Sequence, residues 1–194
     1  MRFPLNLEAY LTDDDTNVLQ RISKRETHIP YGKHCGAFGV KRREDIHSGI
    51  DLYAPDGEDV FAMQDGIVVA VYPFTGPAAD LPWWHDTMAV CIEDDDGVWL
   101  YGEIEPSPLI KPGVAVLEGE RIGAVKQVLR HNKGRPMSML HMERYAPGTR
   151  EYVQQWHLGD DSRPEGLLDP TELLGQFDTY LEWCRWEDSQ GHEI

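Results

Sequence analysis

Three short stretches constrain this chain more than anything else in it. GIVVAVY (66–72), TMAVCIE (87–93) and VWLYGEI (98–104) are rich in β-branched and aromatic residues and bounded by turn formers. DDDG (94–97) joins the last two as a hairpin turn. KPGVAVLEGERIGAV (111–125) adds further short strands between glycine turns. In SMLHMERY (138–145), strand alternation puts Met139, His141 and Glu143 on one face and Leu140, Met142 and Arg144 on the other. Short strands at this spacing predict a mainly β chain with an antiparallel β-sandwich or barrel-like core.

The two ends have a different texture. Residues 1–30 read as an N-terminal extension, with Val18, Leu19 and Ile22 on one face of a short helix after Asp13–Asp15. The β domain covers residues 31–175. Asp169-Pro170-Thr171-Glu172 reads as an N-cap, an N1 proline and a capping-box glutamate. Phe177, Tyr180, Leu181 and Cys184 then recur at helical spacing, so 176–194 is expected to be a helical tail. Trp183 and Trp186 extend its aromatic stripe into a core or docking surface.

Charge excludes two classes of partner. The chain of 194 residues carries 34 acidic against 18 basic residues, a formal charge of −16. Such a surface repels phosphate backbones and anionic lipid headgroups, so neither nucleic acid nor a membrane is an expected partner. The acidic runs 13–15 and 93–96 read as solvated loops. Cys35, Cys91 and Cys184 have no metal or framework spacing, and the first residues show no signal-peptide pattern. Both points favour a reducing, cytoplasmic setting, with export by a non-standard route also compatible.

HSGID (47–51) places an imidazole and a carboxylate four positions apart around a glycine. On one straight strand His47 and Asp51 would lie roughly 13 Å apart, too far to share a metal ion. Ser48-Gly49 offers a place for the chain to bend and bring them to one point. By itself the pair is equally a polar turn.

The surrounding residues resemble the lysostaphin-type zinc endopeptidases, a bacterial family that cleaves peptide crosslinks of peptidoglycan. HSGIDLYAPDGEDVFAMQDGIVVAV (47–71) is similar to the family's glycine-bearing HxxxD, APxG turn and strand ending in DG. GAFGVKR (36–42) resembles its FGxR approach, LYGEI (100–104) its YxHL, KPGVAVLEGERIG (111–123) its KxGxxVxxGxxIG and MLHME (139–143) its HxHFE. LLDPTELL (167–174) resembles the closing motif. The resemblance implies the family's duplicated hybrid motif fold. It also implies Zn2+ as cofactor, held by His47, Asp51 and His141. Two imidazoles, one carboxylate and a place left for water are a catalytic type of donor set.

Two family histidines that do not hold metal, one in YxHL and the first of HxH, activate water and stabilise the oxyanion. Here those positions are Glu103 and Met139. A thioether carries no proton near neutral pH, so Met139 reads as apolar filling that faces the site. Glu103 has three readings: a general base, a fourth ligand that closes the site, or an exposed strand-end carboxylate with no role. The paired loss points to a zinc-binding domain with lost or altered endopeptidase activity, acting on a peptide or protein ligand, peptidoglycan peptides included. The rivals are an active zinc peptidase or amidase using Glu103, and a structural module without metal. Arg42 and Arg43 read as surface residues or contacts for a substrate carboxylate. His131 reads as a solvated loop residue, the alternative being a replacement proton carrier at the site, and Trp83-Trp84 as packing over the core, the alternative being an exposed ligand or partner groove.

Overall fold

A computed structural model describes residues 1–5, 10–12, 19–21, 29–131, 137–152, 155–160 and 162–177. The strands run in chain order as β1 (Tyr10–Thr12), β2 (Leu19–Arg21), β3 (Asp45–Ile46), β4 (Ile50–Tyr53), β5 (Asp59–Phe61), β6 (Gly66–Thr75) and β7 (Thr87–Asp94). They continue as β8 (Gly97–Pro106), β9 (Ala115–Val116), β10 (Arg121–Val125), β11 (Met139–Tyr145), β12 (Trp156–His157) and β13 (Leu167–Leu168). One helix, α1 (Thr171–Gly175), follows.

Pairing is antiparallel throughout, and the main sheet has the order β2-β1-β4-β11-β8-β7-β6-β9. β10 pairs with both β8 and β5, so the chain folds a second layer over one face of that sheet. The larger core lies between them. Ile50, Leu52, Trp99, Tyr101, Leu140 and Met142 of the main sheet pack there with Val60, Val116, Ile122 and Val125. The opposite face carries a smaller cluster around Ala89, Cys91, Val98, Leu100 and Tyr145. Alternation along β8 and β11 thus feeds two cores at once, while β4 gives Ile50 and Leu52 to the larger core alone.

Several local expectations need correction. Leu19 lies in strand β2, which pairs with β1, and not in a helix; Val18 and Ile22 fall outside the described residues. β1 in turn joins β4, and Leu5 and Ile29 are buried in the larger core. The 93–96 run is no solvated loop. Asp94 takes a two-pronged bond from Arg144 at 2.7 and 2.9 Å with both side chains buried, and Glu93 pairs with Arg150. Asp95 and Asp96 alone form the exposed turn between β7 and β8.

The closing helix starts one residue later than its signature suggests. Pro170 occupies the cap position, and Asp169 accepts from the Thr171 amide at 2.9 Å. Gln176 and Phe177 lie beyond its end, and Phe177 packs on Phe3. The rest of the expected tail, from residue 178, and the 13–15 run lie outside the described residues. Among the described residues, no helix is long and apolar enough to cross a membrane.

Candidate metal centre

β4 and β11 lie side by side in a register that sets Asp51 opposite His141. Both side chains leave the sheet on the same face, away from the larger core. His47 joins them from the residue just after β3, because the chain bends at Gly49 before β4 begins. A second constraint acts at that glycine. A Cβ there would stand 2.4 Å from the Met142 carbonyl oxygen and 2.7 Å from His141 Nε2, so only glycine lets the loop lie against the imidazole.

The three side chains converge. Asp51 Oδ1 lies 3.1 Å from His47 Nε2 and 2.9 Å from His141 Nδ1, and the two nitrogens are 3.2 Å apart. Ligand atoms around a tetrahedral zinc at about 2.1 Å stand about 3.4 Å from one another, a few tenths of an ångström beyond these separations. All three residues are buried. Among the described residues they form the one group of this kind.

Outer partners decide which ring atoms face inward. His47 Nδ1 lies 2.9 Å from the Ala37 carbonyl oxygen, to which it donates, so Nε2 keeps its lone pair. His141 Nε2 donates to Glu143 Oε1 at 3.0 Å, so Nδ1 is the inward atom. Glu143 is fully buried and also accepts from Ser48 Oγ and Tyr145 Oη, each at 2.5 Å. Two lone pairs and a carboxylate oxygen pointed at one spot repel unless a cation or a proton lies among them. This donor set fits a divalent metal such as zinc.

The protonation pattern of the metal-free centre follows from the same contacts. Burial opposes ionisation of Asp51, but the neighbouring His47 and Arg42 and the bond from His141 hold its carboxyl well below the usual range. Burial lowers His47. Burial also opposes a charge on His141, yet the bonds to Asp51 and Glu143 win and raise it to about 10. A proton on His141 Nδ1 is therefore what a metal must displace.

Glu103 is buried, only 9% exposed, which overturns its reading as an exposed strand-end group. Its backbone explains how it reaches the site. Alternation would turn the side chain toward the larger core, where Tyr101 and Ile104 point. Instead Glu103 adopts φ 64, and the β7–β8 register slips between Met88 and Val90, so the bulge adds one residue on β8. The carboxylate then lines the same cleft as the triad. Its Oε2 is buried with no hydrogen-bond partner, and burial followed by the nearby Asp51 charge pushes its pKa up to about 8. It does not join the group of ligand atoms lying within 4.8 Å of one another. The fourth-ligand reading thus loses its geometric basis.

The cleft has a volume of about 1110 Å³. Met139 lines it and is half-buried. Phe74 packs beside His141 with ring centroids 5.3 Å apart, in space that Gly102 leaves free of a Cβ. Arg42 is half-buried, lines the cleft and turns two of its nitrogens inward. It donates to Asp51 Oδ2 at 2.6 Å and to the Cys35 carbonyl at 2.9 Å. Arg43 is exposed beside Glu44. His131 is exposed and does not line the cleft.

The tryptophan pair does not pack over the core: Trp83 is 58% exposed, and Trp84 lines the cleft. Three groups were missed by sequence reasoning. Arg42 as a partner of Asp51 and His157 on the cleft wall carry no spacing signal. Glu143 was legible only as a residue on the same strand face as His141.

Residues 45–154, more than half of the chain, match the model described as Peptidase family M23. The chain belongs to peptidase family M23. The matched span contains His47, Asp51, Glu103, Met139 and His141, the ion-binding candidates and both altered positions. No curated protein matches this M23 chain. Among solved structures it is similar to the prophage-encoded M23 protein EnpA from Enterococcus faecalis, a mutant catalytic domain. Identity is 22%, covering 69% of this chain and 85% of that one, with a TM-score of 0.45. Lysostaphin is 17% identical, covering 77% of this chain and 51% of that one, with a TM-score of 0.48. A zinc containing peptidase from Vibrio cholerae is 22% identical, covering 71% and 36%, with a TM-score of 0.42.

Proposed function

We propose that this M23 domain is a zinc-dependent hydrolase of peptide or amide bonds in which a carboxylate replaces the family's imidazole proton carrier. One observation carries the reading: Glu103 holds a buried, unpartnered carboxylate oxygen in the cleft of the triad, on a backbone conformation that costs energy. A bystander has no reason to keep both penalties.

His47 Nε2, Asp51 Oδ1 and His141 Nδ1 would hold the zinc. Bound there, zinc supplies Lewis acidity toward a water and a substrate carbonyl. Its charge also favours the ionised form of Glu103, which in the metal-free centre is raised to about 8. Glu103 then takes the proton from the attacking water and delivers it to the amine as the carbon–nitrogen bond breaks. Ser48, Tyr145 and Glu143 keep His141 in the tautomer that presents Nδ1. Peptidoglycan peptides are the first substrates to try.

Met139 favours a second reading, a domain that binds a peptide and does not cut it. Its thioether lines the cleft where the family has an oxyanion-stabilising histidine, and it can donate no hydrogen bond there.

Turnover of glycine-rich and crosslink peptides by zinc-loaded wild type and Glu103→Gln separates the two. The catalytic reading expects cleavage by wild type, with a loss of about 100-fold or more in the variant and zinc content unchanged. Equal activity of the two proteins removes it. No cleavage by wild type, with cleavage gained by Glu103→His plus Met139→His, establishes the second reading.

A further inference from the structure

β11 hides its side chains everywhere except at its first residue. Leu140 to Tyr145 are all buried, and Met139 alone stays half-buried, on the face that carries His141 and toward the cleft. Strand geometry sets it about 7 Å from His141. An apolar side chain that served only as filling would be covered. This one presents a soft, adaptable thioether to whatever enters beside the triad.

Met139 is one end of a continuous apolar rim. Phe74 is the other end: it lies over Gly102 on the far side of His141. Hydrogen bonds tie the stretch between them into one piece. The Met137 carbonyl accepts from the Val128 and Leu129 amides at 2.9 and 3.3 Å, which seats Leu129 by the start of β11. Leu129 is bridged to Trp84, and Arg130 Nε donates to the Trp84 carbonyl at 2.8 Å. Thr75 Oγ1 donates to the His85 carbonyl at 2.8 Å, which returns the rim to β6 one residue past Phe74. Met139, Leu129, Trp84 and Phe74 are all half-buried and line the same cleft.

His47 and Asp51 occupy the β4 side of the triad, so a peptide reaches it along this rim. A polar side chain placed there leaves water without regaining its hydrogen bonds, and glycine has nothing to bury. An apolar side chain gains from the transfer.

We propose that Met139 is a specificity-determining residue: with Phe74, Trp84 and Leu129 it takes an apolar side chain of the peptide, so that leucine-like residues beside the triad are preferred over glycine. This rests on the reading of the cleft as a peptide site and adds the class of peptide it takes.

The test is fluorescence anisotropy of zinc-loaded full chain with fluorescein-labelled glycine peptides whose central residue is glycine, asparagine or leucine. Affinity is read from the initial anisotropy and cleavage from its later decay, so a failure of the catalytic reading leaves the binding readout intact. The leucine peptide is expected to bind about tenfold tighter than the other two. Asparagine, close to leucine in size, separates apolar character from bulk. In Met139→Ser the preference should fall to about threefold or less, and Met139→Leu should keep it. Leu109→Ser removes an apolar side chain that is 80% exposed and outside the cleft, and should leave it unchanged. Equal binding of the leucine and glycine peptides, equal binding of the leucine and asparagine peptides, no binding of any, or a preference untouched in Met139→Ser would overturn the proposal.

Discussion

Arg42 Nη2 donates to Asp51 Oδ2 at 2.6 Å while Asp51 Oδ1 faces both imidazoles. The two oxygens of one carboxylate thus have separate tasks. With Oδ2 occupied by the guanidinium, Asp51 offers a metal a single oxygen, and the rest of the coordination shell stays free for water and substrate. Arg42 is held in turn by the Cys35 carbonyl, so its geometry is set from both ends.

Replacing Arg42 tests that division. Arg42→Gln should weaken zinc binding by about 10- to 100-fold, the usual effect of removing an outer-shell partner. Arg42→Lys should retain part of the affinity, because an ammonium cannot hold both acceptors in the same plane. Competition against a chromophoric chelator gives the numbers. Wild-type affinity in the glutamine variant would remove Arg42 from the metal centre.

Glu143→Gln keeps the size of a fully buried side chain and leaves it one accepting oxygen for three donors. The unsatisfied partners should cost about 1–3 kcal/mol of stability, read from urea unfolding. Zinc affinity should fall too, since His141 loses the bond that fixes its tautomer. A variant as stable as wild type would mean that the network tolerates an amide.

At Gly49 the expected damage is steric. A methyl group there meets a backbone oxygen and the His141 ring, and the backbone oxygen cannot rotate away. Gly49→Ala should lose about 1–3 kcal/mol, and its zinc affinity should fall with it. Full zinc binding by a normally folded Gly49→Ala protein would contradict the close approach.

Glu103 should show the opposite balance between stability and function. A non-glycine residue in the left-handed region costs about 1–2 kcal/mol, and this one also buries an unpartnered oxygen. Glu103→Gly should therefore raise the stability of the metal-free protein by about 1 kcal/mol while abolishing any cleavage. A destabilised glycine variant would show that the bulge is not strained.

For pH, the signs differ among the groups. Asp51 is depressed, so its contribution is present above the unfolded carboxylate range and is lost as pH falls through its folded value. His141 is raised to about 10, so its contribution is complete below its ordinary value near 6.5 and fades as pH rises toward 10. Glu103, raised to about 8, holds a proton that the unfolded chain has released, which also lowers stability from its ordinary range up to about 8. Metal-free protein should thus lose thermal stability between pH 6 and 9. Zinc should bind more tightly over the same interval, with release of up to about two protons per ion near pH 7, one from His141 and one from Glu103. Calorimetry in two buffers of different ionisation enthalpy measures that release, and a value of zero would show that His141 carries no proton before the metal arrives.

The sequence by itself determined the antiparallel β architecture and the hairpin at 94–97, while the residues able to form the triad were legible only through the family resemblance of the motifs around them. The first two rest on short-range rules: alternation along GIVVAVY, TMAVCIE and MLHME, and turn chemistry. Tertiary structure alone decided the rest. That Glu103 enters the cleft follows from a bulge that reverses the parity of β8, and parity is invisible without the partner strand. That Arg42 serves Asp51, that Asp94 is buried against Arg144, and that Leu19 forms a strand all depend on what lies across space from each residue. Composition is blind to such partners, because a charge is solvated or buried according to its neighbours in the fold, and those come from distant parts of the chain.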